Sequence, residues 1–405
     1  MKKVVLAFSG GIGTTACLDL LRRRYQAEVI TYTASLGQRA STEAISDHAL
    51  DLGASRTLLG DLRERFVKSF VWPVLRAGAV YHSGYALSSA IARPLVVAEV
   101  VRMAHEVGAD TIAHGCAAKS NDQVRFEISA AALAPELTVL SPLRDHGLLR
   151  ADEIRGYLKK NAIPARQSGE SFSITENLWG TTFQWGRAPD TWEDVPEAHY
   201  RLTCNPHDAP DTPRVLTVSF ERGVPVAIDD EALDPVPLLE QLGRAAGEHG
   251  VGRVETFEDR LIGIKTRDVY EQPAATVLHL AREALESLVL SRDMLRLKPG
   301  VSARYANLVY DGFWYSELRQ AYDSFFDTVV EHVSGDVRLE FYRGRARVRG
   351  VRSPHSLYSR GRASTSNKDE DVFDHSNVRG MLGTLSTSIK NQAQRQHPLW
   401  GQELL

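Results

Sequence analysis

Lys3-Val4-Val5-Leu6-Ala7-Phe8, followed directly by Ser9-Gly10-Gly11-Ile12-Gly13-Thr14-Thr15, is the stretch on which the fold turns. A short apolar run suited to a buried strand passes through a turn of small residues into a helical run from Ala16 to about Tyr25. Such a junction aims backbone N–H groups and the positive end of a helix dipole at one point, which suits a phosphate group. The spacing excludes the two commonest phosphate loops. No Gly-Lys-Ser/Thr follows four intervening residues, and no third glycine stands three places after a Gly-x-Gly. A tight strand-to-helix turn without a ligand is the alternative reading of these residues alone.

Outward from this loop, strand and helix patterns alternate through the first 165 residues. Ala27 to Thr33 reads as a strand, Thr42 to Leu52 as a helix ended by Gly53, Ala92 to Val107 as a helix ended by Gly108, and Asp110 to Ala113 as a strand. The expected fold class is α/β, a doubly wound parallel sheet. Ligands of such sheets bind beyond the carboxyl ends of the strands, so Ser9–Thr15, Ala34–Gln38 and Gly115–Asp122 are expected along one rim. From about Gln167 the pattern changes to strand pairs, Val215 to Ile228 turning at Arg222-Gly223 and Val337 to Val348 turning at Arg343-Gly344. Helices at about Pro237–Gly247 and Ala274–Val289 interrupt them, giving an α+β second domain. The expected division is 1–166, 167–359 and 360–405, the last being an exposed linker followed by a helical arm from Val378.

Composition narrows the class. With 405 residues, 43% hydrophobic and 24% charged, the chain can bury a substantial core. A net charge of −3 supplies no field for nucleic acid. Cys17, Cys116 and Cys204 form no Cys-x-x-Cys pair, the thirteen histidines show no metal-ligand spacing, and no apolar run approaches a membrane span. The opening residues read as a strand rather than a signal peptide, so a cytoplasmic protein acting on small molecules is expected.

A second stretch names a chemistry: Ala113-His114-Gly115-Cys116-Ala117-Ala118-Lys119-Ser120-Asn121-Asp122-Gln123-Val124-Arg125-Phe126-Glu127. Small residues permit close ligand approach, and Asn121 reads as the N-cap of a helix with Arg125 one turn in. The first loop, Ser-Gly-Gly-x-x-Thr-Thr, resembles the pyrophosphate loop of the N-type ATP pyrophosphatases. The second resembles the His-Gly-Cys/Ala-Thr-Gly-Lys-Gly-Asn-Asp-Gln-Val-Arg-Phe-Glu segment of the argininosuccinate synthase family. Further matches run along the chain, among them Glu176-Asn177-Leu178-Trp179-Gly180, Arg222-Gly223-Val224-Pro225-Val226, Glu258-Asp259-Arg260, Tyr270-Glu271 and Val309-Tyr310-Asp311-Gly312.

The resemblance implies an ATP pyrophosphatase domain, a synthetase domain and a C-terminal arm in a homotetramer. It implies an ATP-dependent ligase, with magnesium accompanying the ATP. The ureido oxygen of citrulline attacks the α-phosphorus, pyrophosphate leaves, and the amine of aspartate displaces AMP to give argininosuccinate. Ala7, Phe8, Ser9, Gly10, Gly11, Gly13, Thr14, Thr15, Ala34 and Gly115 would hold the nucleotide. Tyr85, Asn121, Arg125, Ser173, Thr182, Glu258 and Tyr270 would hold citrulline, Ala117 and Asp122 would border the aspartate, and Asp122 and Arg125 would be the catalytic pair. No metal ligand is assigned. Each has a bland alternative: Tyr85 a core aromatic, Glu258 half of a surface ion pair, Ser173 a helix cap. Two departures fall in the chemistry. Gly13 stands where the family loop has aspartate, removing a carboxylate beside the triphosphate. Ala117-Ala118-Lys119-Ser120 replaces Thr-Gly-Lys-Gly, removing the threonine hydroxyl that helps to hold aspartate in the family. These leave open a paralogue using another amine and a binding-only pseudoenzyme.

Overall fold

A computed structural model describes residues 2–82, 84–164, 172–185, 190–364 and 371–396, without the side chains of 172, 173, 184, 185 and 396. Strands β1 (Lys3–Ala7), β2 (Glu28–Ser35), β3 (Arg56–Asp61), β4 (Thr111–Ala113) and β5 (Thr138–Leu140) form a parallel sheet in the order β3-β2-β1-β4-β5. The central strand is apolar on both faces because helices cover both. Val4 and Leu6 pack with Leu18, Leu21 and Ile45 on one side, and Val5 packs with Val97, Val100 and Phe126 on the other.

Among the described residues nine further strands follow: β6 (Phe172–Asn177), β7 (Gly180–Trp185), β8 (Arg214–Glu221), β9 (Val224–Ile228), β10 (Glu231–Ala232), β11 (Arg253–Asp259), β12 (Lys265–Glu271), β13 (Gly335–Tyr342) and β14 (Arg345–Arg352). They make two antiparallel sheets, β11-β12-β7-β6 and β10-β9-β8-β13-β14. A large apolar core joins Trp72 and Leu75, Ile91 and Leu95, Leu216 and Val218, and Leu278 and Leu285. Met1–His355 is one compact unit and Ser356–Leu405 a second, whose main element is the helix Ser376–Gln396. Among the described residues no helix is long and apolar enough to cross a membrane.

Three of the differences from the sequence reading bear on the site. The first helix is Ile12–Arg23 rather than starting at Ala16, because Ile12 to Thr15 continue the helical path while facing the loop, where no apolar periodicity is needed. The helix expected from Ala92 is Ser88–Val107; its first residues are small and polar, and the Tyr85 hydroxyl accepts the N–H of Ser89 at 3.0 Å in place of a local cap. The cap of helix Asn121–Leu133 is Ser120, not Asn121: Ser120 Oγ accepts the N–H of Asp122 at 3.1 Å.

Candidate active site

The glycine loop leaves β1 through Gly10, whose φ of +72° belongs to the left-handed region that glycine adopts without strain. Gly11 then caps the helix Ile12–Arg23 without a side-chain hydrogen bond, and the first turn holds no acidic residue. The first amides of this helix are therefore open to an anion, and the Thr15 hydroxyl is buried without a partner. Ser9 Oγ lies 3.4 Å from Thr14 Oγ1, which also bonds Gly11 O at 3.2 Å. Two neighbouring loops close the rim. Gln38 holds its own loop through Ala34 O and Leu36 N, both at 2.7 Å. Gly115 approaches so closely that a Cβ on Gly13 would stand 2.8 Å from its carbonyl oxygen. The backbone loops after β1 and β4 thus touch, which only a pair of glycines permits. Phe8 and Ala7 lie beneath, Phe8 tied to β2 through Tyr32 O and Thr33 Oγ1.

Beside this rim is a small polar pocket lined by Tyr85, Ser89, Ser120, Asn121, Arg125, Thr182, Glu258, Arg260, Asp268 and Tyr270. Two helix N-termini and the sheet β11-β12-β7-β6 meet there. Glu258, on β11, is 4% exposed and accepts from the hydroxyls of Tyr270 and Tyr310, the latter at 2.9 Å. Burial, only partly opposed by those donors, raises its carboxyl above the ordinary range. The Tyr270 ring stacks on Tyr85 with centroids 4.1 Å apart, and Tyr310 stacks on Tyr81 at 3.6 Å. Arg125 donates to Tyr310 O and to Asp122, each at 2.9 Å, with Tyr310 beneath its guanidinium. Asp122 is gripped from the other side by Arg93 at 2.8 Å. Burial would push the Asp122 carboxyl up, but the two guanidinium groups outweigh it and hold it below the usual range.

The hairpin β11–β12 clamps the loop after β4. Arg260 donates to Thr266 Oγ1 at 3.0 Å, to Lys119 O at 2.9 Å and to the buried Asp268 at 3.3 Å, while Leu261 N donates to Asn121 Oδ1 at 3.1 Å. Two guanidinium groups and two carboxylates face one small space, a lining suited to the ammonium and carboxylate of an amino acid.

Tyr85, Asn121, Arg125, Thr182, Glu258 and Tyr270 therefore come together, and Gly10 to Thr15 stand with Gly115 on the neighbouring rim. Ala117 is exposed and lines no part of the pocket, and Asp122 stands behind Arg125 rather than in the lining. The Ser173 side chain lies outside the described residues. Of the bland alternatives, Glu258 is no surface ion pair, whereas the Tyr85 ring is both core aromatic and pocket wall. Ser89, Ser120, Arg260 and Asp268 were not among the expected site residues. The short spacing Glu258-Asp259-Arg260 was the signal available for Arg260.

Residues 3–164 match the model of the arginosuccinate synthase N-terminal HUP domain, and residues 172–392 that of the arginosuccinate synthase C-terminal domain. The chain belongs to the argininosuccinate synthase family. It is 43% identical to the argininosuccinate synthase of Symbiobacterium thermophilum over 96% of this chain and 97% of that one. The enzyme of Parasynechococcus marenigrum is 44% identical over 94% of each, and that of Rubrobacter xylanophilus 42% identical over 94% of this chain and 92% of its own. Family members thus align across both antiparallel sheets as well as the nucleotide-type domain.

Proposed function

We propose that the chain is an ATP-dependent, AMP-forming carbon–nitrogen ligase that activates the ureido oxygen of citrulline and joins the product to aspartate, giving argininosuccinate. The observation that carries this is the convergence of Tyr85, Asn121, Arg125, Thr182, Glu258 and Tyr270 on one pocket beside an uncapped, acid-free helix N-terminus. In this reading Gly10, Gly11, Gly13 and Thr14 cradle the pyrophosphate with backbone amides, and the orphan Thr15 hydroxyl donates to it. Ala34 and Gly115 border the nucleotide. Arg125 pairs with the citrulline carboxylate, Glu258 receives its ammonium, and Ser173 and Thr182 complete the hold. Asp122 acts by fixing Arg125. The protein's chief contribution is then position and charge: two substrates are held in line, and the ureido oxygen becomes a good leaving group once adenylated.

Magnesium would travel with the ATP. Among the described residues no three or more His, Cys, Asp or Glu groups are placed to hold an ion, so phosphate oxygens would supply most of its ligands. The chain would divide into functional domains at 1–166 and 167–359, with 360–405 an arm toward a neighbour in a homotetramer; Met381, Leu382, Leu385 and Ile389 lie along one side of its helix and are all more than half exposed. The relatives support aspartate as the amine, and nothing in them favours another amine or loss of catalysis. Pyrophosphate release dependent on citrulline and aspartate, with argininosuccinate identified by mass, is the test. No pyrophosphate from ATP and citrulline would sink the ligase reading, and pyrophosphate without argininosuccinate would sink aspartate.

A further inference from the structure

Arg125 and Glu258, the two groups of opposite charge proposed to meet the substrate's carboxylate and ammonium, stand on different elements, Arg125 in helix Asn121–Leu133 and Glu258 on β11. One residue touches both. Tyr310 ends helix Arg292–Tyr310, and its main-chain oxygen, one of the last carbonyls without a partner inside the helix, accepts Arg125 Nε at 2.9 Å. The negative end of that helix favours a cation there. The Tyr310 ring lies beneath the guanidinium, 4.9 Å from it, and its hydroxyl donates to Glu258 Oε2 at 2.9 Å. The ring is itself held, stacked on Tyr81 with centroids 3.6 Å apart. Gly312, whose φ is +93°, brings the chain back so closely that a Cβ there would stand 2.9 Å from Arg125 Cα. Yet Tyr310 is 1% exposed and forms no part of the pocket lining, so it reaches a substrate only through Arg125 and Glu258.

We infer that Tyr310 is a positioning residue for the amino-acid substrate: it fixes Glu258 against Arg125 and so selects a ligand that presents an ammonium and a carboxylate together. The inference rests on the proposed ligase reading and deepens it. The main-chain contact holds Arg125 whatever the side chain, so the hydroxyl's own share falls on Glu258. Among the described residues two hydroxyls donate to that carboxylate, those of Tyr310 and Tyr270. Arg125, Asp268, Tyr81 and Tyr85 face it as well, with Arg260 in the same pocket wall.

Citrulline-dependent pyrophosphate release by the full chain, followed across pH, tests this. Tyr310→Phe keeps the ring and the main-chain oxygen and removes the hydroxyl. It should lower kcat/KM for citrulline about tenfold, the effect of one lost hydrogen bond to a charged group, with the ATP KM within about twofold of the parent. The lost donor favoured the charged carboxylate, so the acid limb of the citrulline profile should move to higher pH by about one pH unit, which a general loosening of the fold would not do. Tyr310→Leu, which also removes the ring from beneath Arg125, should lower kcat/KM by a further factor of about two or more and leave the limb where Tyr310→Phe puts it. On the parent chain, citrulline analogues lacking the α-ammonium or the α-carboxylate should each compete at least about tenfold less well than citrulline. An unmoved acid limb in Tyr310→Phe, equal effects on citrulline and ATP, or an analogue without the ammonium that competes as well as citrulline overturns the inference. A parent chain that releases no pyrophosphate with citrulline overturns instead the reading beneath it, and shows this before any variant is measured.

Discussion

Gly13 offers a quantitative test of how tightly the two loops of the rim are joined. A Cβ there would meet Gly115 O at 2.8 Å and Leu143 Cδ1 at 3.4 Å, and a Cβ on Gly115 would meet Thr14 N at 2.9 Å. Because Gly13 lies inside helix Ile12–Arg23, alanine should gain about 1 kcal/mol from helix propensity alone. Against this stands overpacking onto backbone atoms, about 1–3 kcal/mol. Gly13→Ala should therefore be destabilised by roughly 1 kcal/mol, a fall of about 1–4 °C in melting temperature, and should raise the KM for ATP by displacing Gly115. Gly13→Asp carries the same Cβ plus a first-turn carboxylate, favourable to the helix dipole by about 0.3–1 kcal/mol and able to anchor magnesium directly or through water. It should exceed Gly13→Ala in stability and in citrulline-dependent pyrophosphate release, most clearly when magnesium is limiting. Thermal melts and a magnesium titration of pyrophosphate release decide it. A Gly13→Ala variant that melts above the parent with unchanged ATP KM would refute the close contact, and an aspartate no better than alanine at low magnesium would refute the carboxylate argument.

Arg125→Ala should weaken citrulline by at least about 2 kcal/mol in calorimetry with an ATP analogue present, because it removes a charge-assisted pair and leaves Asp122 with one guanidinium instead of two; unchanged affinity would dismiss the carboxylate contact. Glu258 is held above the ordinary carboxylate range, so between its unfolded and folded titrations the native state keeps a proton that the unfolded chain has released, and stability falls as pH rises through that window. Glu258→Gln should accordingly melt higher than the parent at neutral pH, the difference closing at acidic pH, and should lose citrulline binding; a pH-independent difference would contradict this. Truncation after Ser359 should give a smaller assembly in light scattering, since it removes the exposed Met381, Leu382, Leu385 and Ile389. A monomeric intact chain would exclude the assembly.

What was legible in the sequence was local or carried by family pattern. The apolar run Val4 to Leu6 and the helix Thr42–Asp51 announce themselves through periodicity, and hairpins β8–β9 and β13–β14 through turns at Arg222-Gly223 and Arg343-Gly344, both with positive φ. β3 and β5 were missed: Arg56–Asp61 is largely exposed and Thr138–Leu140 has three residues, so neither displays a buried strand's pattern. The third sheet was missed for a different reason. β7 pairs with β12 across more than eighty residues, Thr182 opposite Tyr270, and no window along the chain contains both. That pairing delivers Thr182 and Tyr270 to the pocket and sets Glu258, Arg260 and Asp268 beside them. Arg260 and Asp268 were therefore beyond periodicity, while Glu258 and Tyr270 were found only through the family pattern.

The departures from that pattern, scattered in sequence, belong to one mechanical unit in the structure. Gly13 and Gly115 touch backbone to backbone, so the glycine loop after β1 and the loop after β4 cannot move independently. Five residues on, Ser120 starts a helix, and Asn121 and Lys119 are tied to the hairpin β11–β12 through Leu261 and Arg260. A residue larger than glycine at position 13 would push Gly115, and with it Ser120 and the start of helix Asn121–Leu133. Restoring aspartate at 13 and threonine at 117 should therefore not be additive, because both act through the same loop. In a double-mutant cycle on kcat/KM for aspartate, Gly13→Asp and Ala117→Thr should show a coupling of at least about 0.5 kcal/mol. Additivity within error would mean that the glycine loop after β1 and the loop after β4 are separate bodies that merely adjoin.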